Sequence, residues 1–149
     1  MKVLTIRQPW ATLIMLGLKQ FETRSWRTDY RGPLVIHAAA TGGRIHTDEL
    51  LRLERRLGAM PTTLAEKDYP LGALLGVVEL DECLPMSPRL IAALTPLERN
   101  LGWYQSGGFV WDLARAGRRR LTQPIVCSGR QGLWTLPPDL DAQLRKALA

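Results

Sequence analysis

The sequence predicts an α+β fold around a curled sheet or small barrel. Strand-like runs recur along the whole chain, two of them reading as arms of a hairpin, and the helical patterns between them are short. The regular strand–helix alternation of a doubly wound sheet is missing, and no Gly-rich phosphate loop follows a strand. Neither G-x-S-x-G nor H-E-x-x-H occurs, so the serine-hydrolase and zinc-protease plans lack their minimum parts.

Lys2 to Arg7 alternate polar and apolar residues, as a half-buried strand does. Pro9 suits a first helical turn, and Trp10, Leu13, Ile14 and Leu18 then fall three and four residues apart. Gly17 stops that helix as a left-handed cap. Lys19 to Trp26 reads as a second strand, Arg27 to Gly32 as a turn, and Leu34 to Ala40 as a strand buried on both faces. Thr47 caps a helix with Asp48 and Glu49 in its first turn, a Leu50, Leu53 and Leu57 stripe, and Arg52 to Arg56 before the stop at Gly58. Gly72 to Leu84 is apolar and branched enough for one long central strand with a bulge at Gly76. Ser87-Pro88 and Thr95-Pro96 start two short helices, and Thr95 with Glu98 forms a capping box. Phe109 to Arg115 and Arg118 to Gln123 are the expected hairpin, turned at Ala116-Gly117. Leu133 to Leu136 is a last strand, and Pro138-Asp139 starts a terminal helix striped by Leu140, Leu144 and Leu148.

Nothing in this pattern divides the 149 residues, and 46% hydrophobic against 23% charged is a globular balance, so 1–149 reads as a single domain. A chain of this size removes roughly 68 to 70% of its extended surface from water, enough to fold without a disulfide or structural metal. Cys83 and Cys127 lie far apart, and neither has a Cys or His at zinc-ligand spacing, although His37 and His46 leave a mixed site open. The expectation is a reduced, cytoplasmic protein with no metal and no cofactor. The paired cysteines of the zinc nucleobase deaminases are absent. No apolar run approaches the ~18 residues of a membrane span and no signal peptide is visible, so no membrane partner is expected. Net charge is +6, carried by sixteen arginines against four lysines, with a pI near 9.9. Such a balance suits a polyanion, since Arg grips phosphate in bidentate fashion, although a GC-rich genome gives the same bias.

The densest run of functional residue types is Arg7-Gln8-Pro9-Trp10 followed by Gly17 to Trp26. Gly17, Lys19, Glu22 and Arg24 reproduce the spacing G-x-K-x-x-E-x-R, and here the chain resembles the ASCH (activating signal cointegrator homology) domain family of the PUA-like superfamily. Gln8-Pro9-Trp10-Ala11, Arg24-Ser25-Trp26 and Arg31-Gly32 look like its coactivator-type branch, and Gly72 to Leu80 and Leu133 to Leu136 continue the likeness. The resemblance implies a PUA-like small mixed β-barrel of about five to six strands with flanking short helices and a basic cleft for RNA or another nucleic acid. It also implies three activities seen in similar members: RNA binding, single-strand ribonuclease action, and removal of an acyl group from a modified cytidine. The acyl-removing branch uses a Lys, a Thr and a Glu. These fall on Lys19, on the position held by Glu22, and on Glu79, so a carboxylate stands where a hydroxyl is expected.

Read from the residues alone, Lys19 acts as a base only if burial or the neighbouring cation Arg24 favours its neutral form; charged, it clamps phosphate or stabilises an oxyanion. Strand geometry puts Glu22 and Arg24 on one face, and Lys19 joins them if it belongs to the turn after Gly17. A solvated ion-pair ladder is the bland alternative. The expected phosphate contacts are Arg7, Lys19 and Arg24, joined on the nucleic-acid-binding surface by Trp26, Arg27, Arg31 and a Ser128-Gly129-Arg130 turn that offers backbone N–H groups. Lys19, Glu22 and Glu79 are the catalytic candidates, with His37 either a core histidine or a proton carrier. Trp10, Trp26, Tyr30, Trp103 and Tyr104 are the aromatic supply, of which Trp10 reads as core, as does Trp111. Arg118-Arg119-Arg120 reads as a solvated hairpin tip. Three functions follow: a single-stranded RNA or DNA binder with optional metal-independent ribonuclease activity, an amidohydrolase of an acylated cytidine-type nucleoside, or a protein-interaction module of a transcription complex.

Overall fold

The computed structural model describes residues 1–40, 52, 53, 55, 68–105 and 107–149. Eight strands and four helices follow one another in these residues: β1 (Lys2–Ile6), α1 (Trp10–Met15), β2 (Phe21–Arg24), β3 (Gly32–Ala38), β4 (Ala73–Leu80), β5 (Glu82–Pro85), α2 (Pro88–Ala93), α3 (Pro96–Leu101), β6 (Phe109–Asp112), β7 (Arg119–Val126), β8 (Leu133–Thr135) and α4 (Pro138–Leu148). The strands outnumber the expected five to six and pair into two ladders, a mixed five-stranded sheet in the order β7-β4-β3-β1-β8 and an antiparallel three-stranded sheet β2-β6-β5. Of the helix expected after Thr47, Arg52, Leu53 and Arg55 are helical, and the rest lies outside the described residues. No helix among the described residues is long and apolar enough to cross a membrane.

β1 and β3 run parallel, Val3 opposite Val35 and Ile6 opposite Ala38. A parallel pair needs a crossover, which α1 and β2 supply. Alternation then sorts the core. Leu4, Ile6, Leu34 and Ile36 point to one face, where they pack with Ile14 and Met15 of α1 and with Trp111 of the small sheet. Val3, Val35, Leu121 and Trp134 point to the other, closed by Leu144 of α4.

Two expectations about pairing are corrected. The run Gly72 to Leu84 is two strands, because the chain breaks at Asp81 and passes from the large sheet into the small one. The hairpin at Ala116-Gly117 does not form: β6 pairs with β2 and β5, whereas β7 pairs with β4. The bulge at Gly76 is present. The register slips there against both neighbours, so Leu74 and Val77, three residues apart, face the same core. Only glycine fits: φ is +154°, and a Cβ would lie 2.3 Å from the Arg119 carbonyl oxygen.

Local signals near the site hold well. Gly17 ends α1 at φ +74°, with its N–H bonded to Ile14 O, while the N–H groups of Leu18 and Lys19 both donate to Leu13 O. At the other end of α1, Pro9 has no capping side chain, and buried Gln8 serves instead. Its Oε1 accepts from Thr12 N at 3.0 Å, and its Nε2 donates to Thr12 Oγ1 and Pro70 O.

Candidate nucleic-acid interface

A cleft of about 440 Å³ opens between the C-terminal end of β1, strand β2 and the loop that follows α3. Arg7, Trp10, Lys19, Glu22, Arg24 and Trp103 border it, together with the helical Arg52. It draws on both sheets: β1 belongs to the large sheet and β2 to the small one.

Lys19 precedes β2, as the turn after Gly17 requires, and is only 2% exposed. Its ammonium donates to Phe21 O, lies 3.6 Å from Glu98 Oε1, and sits 5.6 Å from the centre of the Tyr104 ring. A cation so enclosed is a structural tie rather than a surface charge. Glu98 is the residue whose further role sequence reasoning missed. Thr95 Oγ1 does accept from Glu98 N at 3.2 Å, but the reciprocal half of the capping box is diverted. The Glu98 carboxylate instead accepts from Gln20 N at 2.9 Å, Phe21 N at 3.2 Å and the Tyr104 hydroxyl at 2.5 Å. Burial, and then this carboxylate, push the Tyr104 phenol far above its usual range.

Glu22 and Arg24 share the cleft face of β2, with Arg24 Nε 3.7 Å from Glu22 Oε1. Arg24 Nη2 donates to Thr5 O at 2.8 Å, which fixes the guanidinium against β1. Glu22 Oε2 and Arg24 Nε are buried without a hydrogen-bond partner. Unsatisfied acceptor and donor atoms side by side in a cleft are costly unless a ligand or water meets them. Trp10 is not simply core: it borders the cleft and its Nε1 donates to Leu101 O at 2.9 Å, joining α1 to the end of α3. Trp111 is fully buried, as expected.

The remaining sequence candidates lie elsewhere. Glu79 borders a separate cavity of about 310 Å³ with Arg115 and Arg119, so the expected set of Lys19, Glu22 and Glu79 is not assembled around one cleft. Trp26 packs edge-on against Trp111, centroids 4.7 Å apart, because the small sheet needs that ring in its core. Arg27 pairs with Asp29 at 3.1 Å and Arg31 with Glu82 at 3.2 Å, both outside the cleft. Ser128 and Arg130 are exposed, the latter with its guanidinium 5.9 Å from the Trp134 ring centre. His37 is a core residue. Its Nε2 meets Cys127 O at 3.0 Å, its Nδ1 has no partner, and burial lowers its pKa below the ordinary 6.5. Arg118 is not a free tip either, since it donates to Leu113 O and lies against the Gly17 turn. Arg52 and Trp103 complete the cleft. Trp103 was visible as an aromatic in a loop, but its nearness to Glu22 and Arg24 is a tertiary fact.

The ASCH domain family model matches residues 4–115. Activating signal cointegrator 1 of Mus musculus is 43% identical over 83 residues and that of Homo sapiens 41%; each match covers 54% of this chain. The matched segment is only 14% of the length of those two relatives. Among solved structures, ASCH from Zymomonas mobilis superposes over 99% of this chain and 95% of its own, with a TM-score of 0.61 and 13% identity. A single-substitution variant of that protein gives 0.60 at 14% identity, over 99% of this chain and 98% of its own. At such identity the likeness speaks for the fold, and it agrees with the α+β, PUA-like architecture. With the family match spanning three quarters of its length, this chain belongs to the ASCH domain family.

Proposed function

We propose that this protein binds single-stranded nucleic acid, RNA foremost, with one nucleotide seated in the Arg7–Trp103 cleft. The observation that carries this reading is the lining, which sets the guanidinium groups of Arg7, Arg24 and Arg52 beside the indoles of Trp10 and Trp103. Single strands require that combination, because phosphates bind through cations and bases stack on aromatic rings. The volume suits a small-molecule-sized group, and the overall charge of +6 draws polyanions toward the surface. Exposed Arg7 supplies the phosphate contact, Arg24 a fixed second cation, and Glu22 an acceptor for a base N–H. Lys19, tied to Phe21 and Glu98, contributes by shaping the turn. Free Cys83 and Cys127 fit a reducing compartment, and we place the protein in the cytoplasm.

The test is an anisotropy titration of a labelled, randomised RNA octamer against wild type and Arg7→Ala, at about 50 and about 200 mM salt. Affinity is expected to fall with salt, and the variant to lower the log–log slope by about 0.7, one phosphate contact. Absence of binding at the lower salt overturns the reading.

The unpartnered Glu22 Oε2 favours a second reading at the same cleft, metal-independent hydrolysis with this carboxylate as general base. RNA strands and acetylated cytidine, incubated with chelator, separate its two forms. Product that survives Glu22→Gln in both assays removes it.

A further inference from the structure

Trp103 is 59% exposed and borders a second hollow besides the cleft. This hollow, of about 480 Å³, is lined by Arg24, Ser25, Gln105 and the backbone of Gly107 and Gly108. Arg24 also borders both spaces. A third hollow beside Arg99 shares Trp103 but not Arg24.

We infer that the hollow beside Ser25 is the subsite of a neighbouring nucleotide, so that the ligand is a strand of at least two linked nucleotides and not a free nucleoside or mononucleotide. This rests on the nucleic-acid reading of the cleft and adds a polymer requirement to it. Three observations support it. Trp103, 59% exposed, borders both hollows and offers ring surface for base stacking at their junction. Arg24, held by Thr5 O at 2.8 Å and by Glu22 at 3.7 Å, stands at the boundary where the linking phosphodiester passes. A preorganised guanidinium there gives up little freedom on binding. Finally, glycine lets the floor close against Arg24. A Cβ at Gly107 would meet nothing within 4 Å, while a Cβ at Gly108 would lie 2.9 Å from Arg24 O, so the bare backbone at 108 is what brings this segment against Arg24.

The experiment is competition for a labelled RNA octamer by unlabelled, randomised, 5′-phosphorylated RNA of one, two, four and eight nucleotides, with DNA of the same lengths in parallel. Wild type, Trp103→Ala and Ser25→Glu are compared after thermal melting shows them folded. Ser25 borders the second hollow and not the cleft, so its carboxylate acts most strongly on the neighbouring nucleotide. For wild type, affinity is expected to rise at least tenfold from one nucleotide to two, about 1.4 kcal/mol. Ser25→Glu is expected to remove that step, lowering dinucleotide affinity far more than mononucleotide affinity, and Trp103→Ala to remove it as well. Equal affinity for one and two nucleotides, or a step that survives both variants, overturns the second subsite and leaves the cleft reading standing. Failure of every RNA and DNA length to compete, with no binding of the octamer itself, overturns both.

Discussion

The Lys19 ammonium lies 3.6 Å from Glu98 Oε1, with the two side chains only 3% and 5% exposed. The pair is asymmetric. Glu98 also receives two backbone N–H groups and the Tyr104 hydroxyl, whereas Lys19 has Phe21 O and the Tyr104 ring beside it. Glu98 therefore ties together α3, the turn before β2 and the loop that carries Trp103.

Removing Glu98 strands a buried ammonium and two N–H donors, so Glu98→Leu is expected to cost about 3–5 kcal/mol. Lys19→Met leaves the carboxylate with three donors and is expected to cost less, about 1–2 kcal/mol. Urea unfolding of both variants checks the order; equal losses would show that Glu98 is no hub.

Tyr104→Phe deletes one hydrogen bond to a carboxylate, worth about 1.5–3 kcal/mol. Because Trp103 adjoins Tyr104, RNA affinity is expected to drop along with the melting temperature. A less stable variant with unchanged affinity would separate the hydroxyl from the placement of Trp103.

Burial is the larger influence on His37 and lowers its pKa, with the Cys127 carbonyl partly opposing it. The unfolded chain then takes up the proton first as pH falls. Stability is full above the ordinary value of 6.5 and declines as pH drops through it toward the lowered folded-state value. Unfolding free energies between about pH 7.5 and pH 5.5 are expected to slope by at most ~1.4 kcal/mol per pH unit. His37→Gln should flatten that slope.

Gly76→Ala forces a methyl group onto the Arg119 carbonyl and is expected to destabilise by about 1–3 kcal/mol or more. Denaturant midpoints test it. A neutral result would mean that β4 and β7 separate at the bulge without cost.

Legibility in the sequence followed distance along the chain. The Gly17 stop, the Ser87 and Thr95 caps and the terminal helix depend on residues a few positions apart, and the structure has them. The resemblance carried by the G-x-K-x-x-E-x-R run implied a cleft lined by Lys19, Glu22 and Arg24, and all three border one cleft. Glu79 was out of reach, because alternation along β4 says which face a residue takes but not which cavity lies over that face.

What the sequence determined by itself is this local grammar: where helices start and stop, which faces are apolar, and that Gly17, Lys19, Glu22 and Arg24 follow one another just after the first helix. What only the tertiary structure decided is partnership. Strand patterns carry no label for the strand they will pair with, so the break at Asp81 and the separation of β6 from β7 into different sheets emerge only when both faces of β3 and β4 must be covered at once. The same holds for Glu98. A capping-box glutamate satisfies nearby N–H groups by default, but the unpaired donors of Gln20 and Phe21, far away in sequence, sit closer in the fold and compete for it with a buried ammonium that no local rule could set beside them.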